Sequence, residues 1–206
     1  MAMKPNEQGY KNLYASHTPD IGLEKNVAWC LGLLEAQKEN IEIFIRAQGQ
    51  LLEFLLAEKF DAALEVVNMV ELKTGVSAWS VSLTGTLLTM AHPEERHGYI
   101  TKVISSSGDN SFFKSLTYHI TNRFDDPETL LSESRFFELK IRRSFAGELL
   151  HFLMYKLVTH NVEFSYDFEK ILNFEKNSSP IDIYCCLLDF ITFHVESKDD
   201  VLRDLC

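Results

Sequence analysis

"EKFDAALEVVNMVELKTGVSAWSVSLTGTLL", residues Glu58–Leu88, holds two apolar periodic segments with Thr74-Gly75-Val76-Ser77 between them. In the first, Phe60, Ala63, Leu64, Val67 and Val70 recur at steps of three and four, the spacing of one helix face. Gly75 stands where a helix C-terminus favours a left-handed residue, and the Ser77 hydroxyl can cap the helix that follows. In the second, Trp79, Leu83, Leu87 and Met90 make the apolar face. The stretch therefore predicts two antiparallel helices joined by a short turn, with Phe54, Phe60, Ala63, Val67, Trp79, Leu83 and Leu87 directed into the hairpin core. Ser80, Ser82, Thr84, Thr86 and Thr89 are left over as a small, uncharged polar face. A solvated helix commonly carries Lys and Glu there, so this face predicts close approach by another helix, a neighbouring hairpin of the same chain before a partner.

The same reading extends outward. Residues 1–20 are polar, with Pro5, Gly9 and Thr18-Pro19-Asp20, and read as an arm. Val27, Leu31 and Leu34 predict a first helix, and Ile41, Phe44, Ile45, Leu52, Leu55 and Leu56 predict one apolar face on a second. Pro93 with Glu94 and Glu95 suits a first helical turn, because proline needs no amide partner there and the acids face the positive end of the dipole. Gly108-Asp109-Asn110 breaks that helix. Phe112, Phe113, Leu116, Ile120 and Phe124 predict another, Asp126-Pro127-Glu128 opens the next, and residues 134–159 form the longest candidate. Ser179-Pro180 with Asp182 starts the last, with Ile183, Leu187, Phe190, Ile191 and Val195 facing inward. No segment alternates as a strand does. The expected fold is all-α, eight or nine helices over residues 21–206, arranged as stacked antiparallel hairpins or a multi-helix bundle. "ESKDDVLRDLC" at 196–206 resumes an amphipathic pattern without a cap, as a piece of a longer chain would.

Around Glu58 the chain resembles the tetratricopeptide class of helix-turn-helix repeats. Phe54 lies nine residues before Ala63, and Phe60 and Ala63 fall where that family places an aromatic and a small residue at its helix crossing. Ala47 and Gln50 depart from its Trp and Leu positions, Val67 from its Phe and Gly75 from its closing Pro. One period on, Gly85 and Leu88 fit, while His97 and Thr101 do not. Over about residues 47–90 the resemblance implies irregular hairpins with a groove that holds a peptide or partner helix.

At 206 residues with a formal charge of -10, the chain can bury a core without disulfides, and its acidity opposes a phosphate backbone. Cys30, Cys206 and the adjacent Cys185-Cys186 form no spaced framework, which suits a reducing, cytoplasmic compartment. The N-terminus lacks the apolar stretch of a secretory signal, and no run of uncharged apolar residues has the length of a membrane span.

Catalytic motifs are not apparent: there is no Gly-rich phosphate loop, Gly-x-Ser-x-Gly elbow or Cys-x-x-Cys pair. In "HPEERH", His92 and His97 are five apart and diverge on a helix, so an exposed acidic first turn is expected there rather than a metal site. Cys186 with His194 reads as a packed thiol, and nothing local ties Cys30 to His119 or His151. The expectation is a chain without cofactor, metal or catalytic residues that binds a protein or peptide partner or forms a homo-oligomer. Two candidate surfaces carry it: Ser82 and Thr86 on the uncharged face, and Arg135, Lys140, Arg142 and Arg143 beside the apolar stripe of "RFFELKIRRSF". The alternative is a regulatory or effector domain of a larger bacterial assembly, in defence or toxin neutralisation, whose acidity masks a basic partner.

Overall fold

The computed structural model describes residues 22–106, 116–117, 120, 152–153, 155–156 and 164–197. Every regular element among them is helical: α1 (Leu23–Ala36), α2 (Lys38–Leu56), α3 (Phe60–Thr74), α4 (Ala78–Ala91), α5 (Pro93–Ser106), α6 (Phe164–Glu175) and α7 (Pro180–Ser197). Residues 116, 117, 120, 152, 153, 155 and 156 are helical as well. Seven helices are thus delimited, against eight or nine expected. The break at Gly108-Asp109-Asn110, the start at Asp126-Pro127-Glu128 and most of 134–159 lie outside the described residues. α6 was not anticipated, although Phe164, Phe168, Ile171 and Leu172 carry a helical spacing.

Turn chemistry sets the hairpins. α2 ends in a Schellman arrangement, with Lys59 N–H donating to the Phe54 carbonyl (2.9 Å) and Glu58 N–H to that of Leu55 (3.1 Å). Glu58 there has φ 54, the left-handed region, where glycine is usual. α3 ends at Gly75 (φ 85), as expected from the sequence, and Gly75 N–H reaches the Glu71 carbonyl at 2.9 Å. Ser77 then caps α4: its hydroxyl accepts from Ser80 N–H (3.0 Å), while Ser77 N–H donates to Ser80 Oγ (3.0 Å). Each short connection folds the next helix back, and α2 packs on α3, α3 on α4, α4 on α5 and α6 on α7.

Two apolar clusters form. One joins α2, α3 and the flank of α4 through Phe44, Ala47, Leu51, Ala63, Val66, Val67, Val70 and Leu87, with Ile181 entering from α7. Phe54, Phe60, Trp79 and Leu83 pack against it, so all seven residues assigned to the hairpin core are there. The other gathers α1, α6 and α7 around Leu116, Phe152, Phe168, Ile171, Leu172, Ile183 and Cys186. α7 bridges both, contacting α1, α2, α4 and α6.

Several predicted inward residues face out. α2 has two apolar stripes, and only Ile41, Phe44, Ala47 and Leu51 are buried; Ile45, Leu52 and Leu56 are exposed. On α1 the buried positions are Asn26 and Cys30, with Leu31 outside. Met90 and Ile191 are likewise exposed. Residues 45 and 52 lie on a line roughly 100° from 44 and 51, and which line is covered depends on where the neighbouring helices lie.

Candidate interaction surface

The α4 face divides in two. Positions two apart step by about 200° around a helix, so Ser80 and Thr84 share one side and Ser82 and Thr86 another. Ser80 and Thr84 are buried with Gly85, whereas Ser82, Thr86 and Thr89 are half-buried. On the buried side α5 supplies Tyr99, whose phenol is pushed up by burial first and by Glu71 second. On the other side the hydroxyls turn to their own helix: Thr86 Oγ1 donates to the Ser82 carbonyl (3.0 Å) and Thr89 Oγ1 to that of Gly85 (2.8 Å). Such bonds satisfy the hydroxyls without a partner. Arg135, Lys140, Arg142 and Arg143 lie outside the described residues.

The larger apolar surface is one the sequence reading assigned to the core. Ile45, Leu52 and Leu56 are 46%, 58% and 79% exposed and succeed one another along α2. Gly49 lies between Ile45 and Leu52 on the same side, and a Cβ added to it would meet nothing within 4 Å. The signal for this stripe was present: α2 carries apolar residues at 41, 44, 45, 51, 52, 55 and 56, a wider arc than one packed neighbour covers.

A buried polar network fixes the helices beneath. The four N-terminal amides of α4 that lack an intrahelical carbonyl are all satisfied: Ala78 and Trp79 donate to the Asp182 carboxylate (2.9 and 3.2 Å), Ser77 to Ser80 Oγ and Ser80 to Ser77 Oγ (both 3.0 Å). Asp182 also accepts from Ser179 Oγ (2.9 Å), and its own N–H donates back to that oxygen (3.1 Å). One carboxylate therefore serves the positive ends of two helices. Deeper in, Lys156 Nζ stands 2.9 Å from Glu175 Oε2, with Glu175 fully buried. Burial works against the ammonium, but Glu175 and then Asp182 hold Lys156 above the ordinary lysine range. Burial raises Glu175, against the pull of Lys156. Ser178 Oγ donates to Glu175 Oε1 (2.5 Å), Lys176 Nζ to Asn26 Oδ1 (2.8 Å), and Tyr155 OH to Asp189 Oδ2 (3.0 Å).

The thiols here are poor nucleophiles. Burial, then Glu175, pushes Cys30 up to about 12, and burial, then Asp182, does the same to Cys185. Cys186 is raised well above the usual range by burial and Glu175. His119 and His151 lie outside the described residues, and so does the side chain of His194.

At the α4–α5 junction, His92 precedes Pro93 as anticipated. Its Nε2 is 2.7 Å from Asp61 Oδ1 on α3, and its Nδ1 is 3.8 Å from Glu94 Oε1. Ligand atoms of His92, Glu94 and Glu95 fall within 4.8 Å of one another, a grouping compatible in spacing with a metal ion; His97 is not part of it. The hydrogen bond with Asp61 raises the imidazole pKa, offset in part by desolvation. An imidazolium held by exposed carboxylates accounts for this grouping. Among the described residues no helix is long and apolar enough to cross a membrane. Compared with family models, curated proteins and solved structures, the chain matches none.

Proposed function

We propose that this chain is a non-catalytic interaction module in which stacked helical hairpins hold a peptide or partner helix, with the exposed stripe of α2 as the contact. The observation that carries this reading is the run Ile45, Leu52 and Leu56 facing solvent on a helix whose adjoining side is core. Scattered exposed leucines are ordinary, but a continuous line on a well-anchored helix is what an amphipathic helix packs against. Fully covering one such side chain contributes about 1.5–3 kcal/mol before the costs of association. The resemblance to tetratricopeptide repeats supports the same reading, since fully buried Ala63 lets α2 and α3 approach closely. The uncharged, half-buried Ser82 and Thr86 flank of α4 is a secondary contact in this scheme.

Leu52→Glu and Leu56→Glu variants test it. Both should keep helical circular dichroism and melting temperature while losing what the wild-type chain captures from its host, with capture by the wild type little affected by salt. A folded variant that captures the same molecules would refute the assignment. The net charge of -10 favours one further reading, a regulatory or effector domain that masks a basic partner. Capture at low salt that disappears at high salt identifies that case.

A further inference from the structure

Resting on that reading of the stripe, we infer that its occupant is a second copy of this chain, the two α2 helices running antiparallel and crossing at Gly49. Gly49 is inside a helix, where glycine is unfavourable by roughly 0.5–1 kcal/mol relative to alanine. Nothing among the described residues requires it, because an added Cβ would meet no atom within 4 Å. A close approach from outside does require it: with no side chain at the crossing point, two helix backbones come together and Ile45 and Leu52 pack around the contact.

The charges along the stripe select the occupant. Arg46 and Glu53 are two turns apart, exposed, and on the same flank of the stripe. Antiparallel pairing about Gly49 brings Ile45 of one copy beside Leu52 of the other, and Arg46 beside Glu53, twice over by symmetry. Parallel pairing would set this flank of the two copies on opposite sides of the contact, leaving Arg46 and Glu53 apart. Opposite charges at positions exchanged by a two-fold axis make α2 complementary to itself. Among the described residues Arg46 pairs with Glu42, at 3.3 Å on an exposed surface, and its guanidinium has donors enough for a second carboxylate.

The test is sedimentation equilibrium of the full chain with light scattering. The mass should rise with concentration from 23.7 kDa toward twice that value. Arg46→Glu and Glu53→Arg should each weaken association severalfold, and the double variant should restore it. Gly49→Ala should fold at least as stably as wild type, and Gly49→Leu should fold but dissociate. A chain that stays at 23.7 kDa at every concentration overturns the inference, as does a double variant weaker than either single one. If the chain is monomeric while Leu52→Glu still loses a captured partner, the self-association fails and the interaction module stands. If a dimer forms that is indifferent to Leu52→Glu and to the charge exchange, the stripe is not its contact, and both readings of α2 fall.

Discussion

The two clusters are built on different principles. In the one between α2 and α3 neither helix buries a charged side chain, and Phe44 stands edge-on to Trp79 (ring centroids 4.9 Å) and to Tyr184 (5.9 Å). The one around α1, α6 and α7 surrounds Phe168 stacked on Phe190, yet also encloses Lys156, Glu175, Lys176 and Asn26. An apolar core tolerates rearrangement at the expense of contact area, whereas buried charges fix which groups must meet. Only the first kind of core writes a simple periodicity into the sequence.

Lys156→Met should show the largest difference between them. It leaves Glu175 buried without its ammonium partner, with the Ser178 hydroxyl still donating to it, and should cost roughly 3–5 kcal/mol. The double variant Lys156→Met/Glu175→Leu should recover much of that loss in urea denaturation, because an isolated buried charge is worse than none. In the apolar cluster Phe44→Ala should cost about 3–5 kcal/mol as well. Pairing it with Val67→Ala should add to the loss, and recovery in that pair would erase the distinction between the clusters.

Asp182 is where the clusters meet, since it binds α4 amides from the first turn of α7. Asp182→Ala strips acceptors from two amides and a hydroxyl, and should cost roughly 2–4 kcal/mol. Hydrogen exchange should show the α4 N-terminus losing protection before the middle of α3; equal loss everywhere would mean that Asp182 holds the whole domain.

Smaller effects belong to the turns of the apolar half. Gly75→Ala should destabilise by about 1 kcal/mol, because φ 85 is unfavourable for a residue with a Cβ. Glu58→Gly should stabilise by about the same amount, as Glu58 occupies the left-handed position of its turn at φ 54. Melting curves that move in the same direction for both would contradict the turn assignments.

The smallest effect is at His92. Its pKa is raised by the hydrogen bond with Asp61, so the link is fully present below the ordinary histidine value near 6.5 and is lost as pH rises through the raised value. NMR should place the His92 titration above that of an unrestrained histidine, and Asp61→Asn should bring it back down. Stability should fall slightly across this window in wild type and stay flatter in the variant.

The hairpin from α3 to α4 was readable because its instructions are local. Gly75 and Ser77 act on their own neighbours, and the apolar positions at 60, 63, 67 and 70 repeat at the pitch of the element they form. α6 was less readable, since "FSYDFEKILNFEK" mixes acids and a lysine into its inward-facing residues. Glu175 and Lys176 look like surface residues until Lys156 and Asn26 are brought to them across the chain.

The α2 stripe shows the same division. Composition, helical pitch, caps and turns by themselves determined an all-α chain and the hairpins from α2 to α5. Which of two apolar lines on α2 is covered, whether Ser80 and Ser82 share a surroundings, and that Asp182 caps a helix more than a hundred residues earlier were decided only by the tertiary structure. Pitch and capping act over a few residues of chain, whereas burial depends on which distant helix arrives alongside, and no local spacing encodes that.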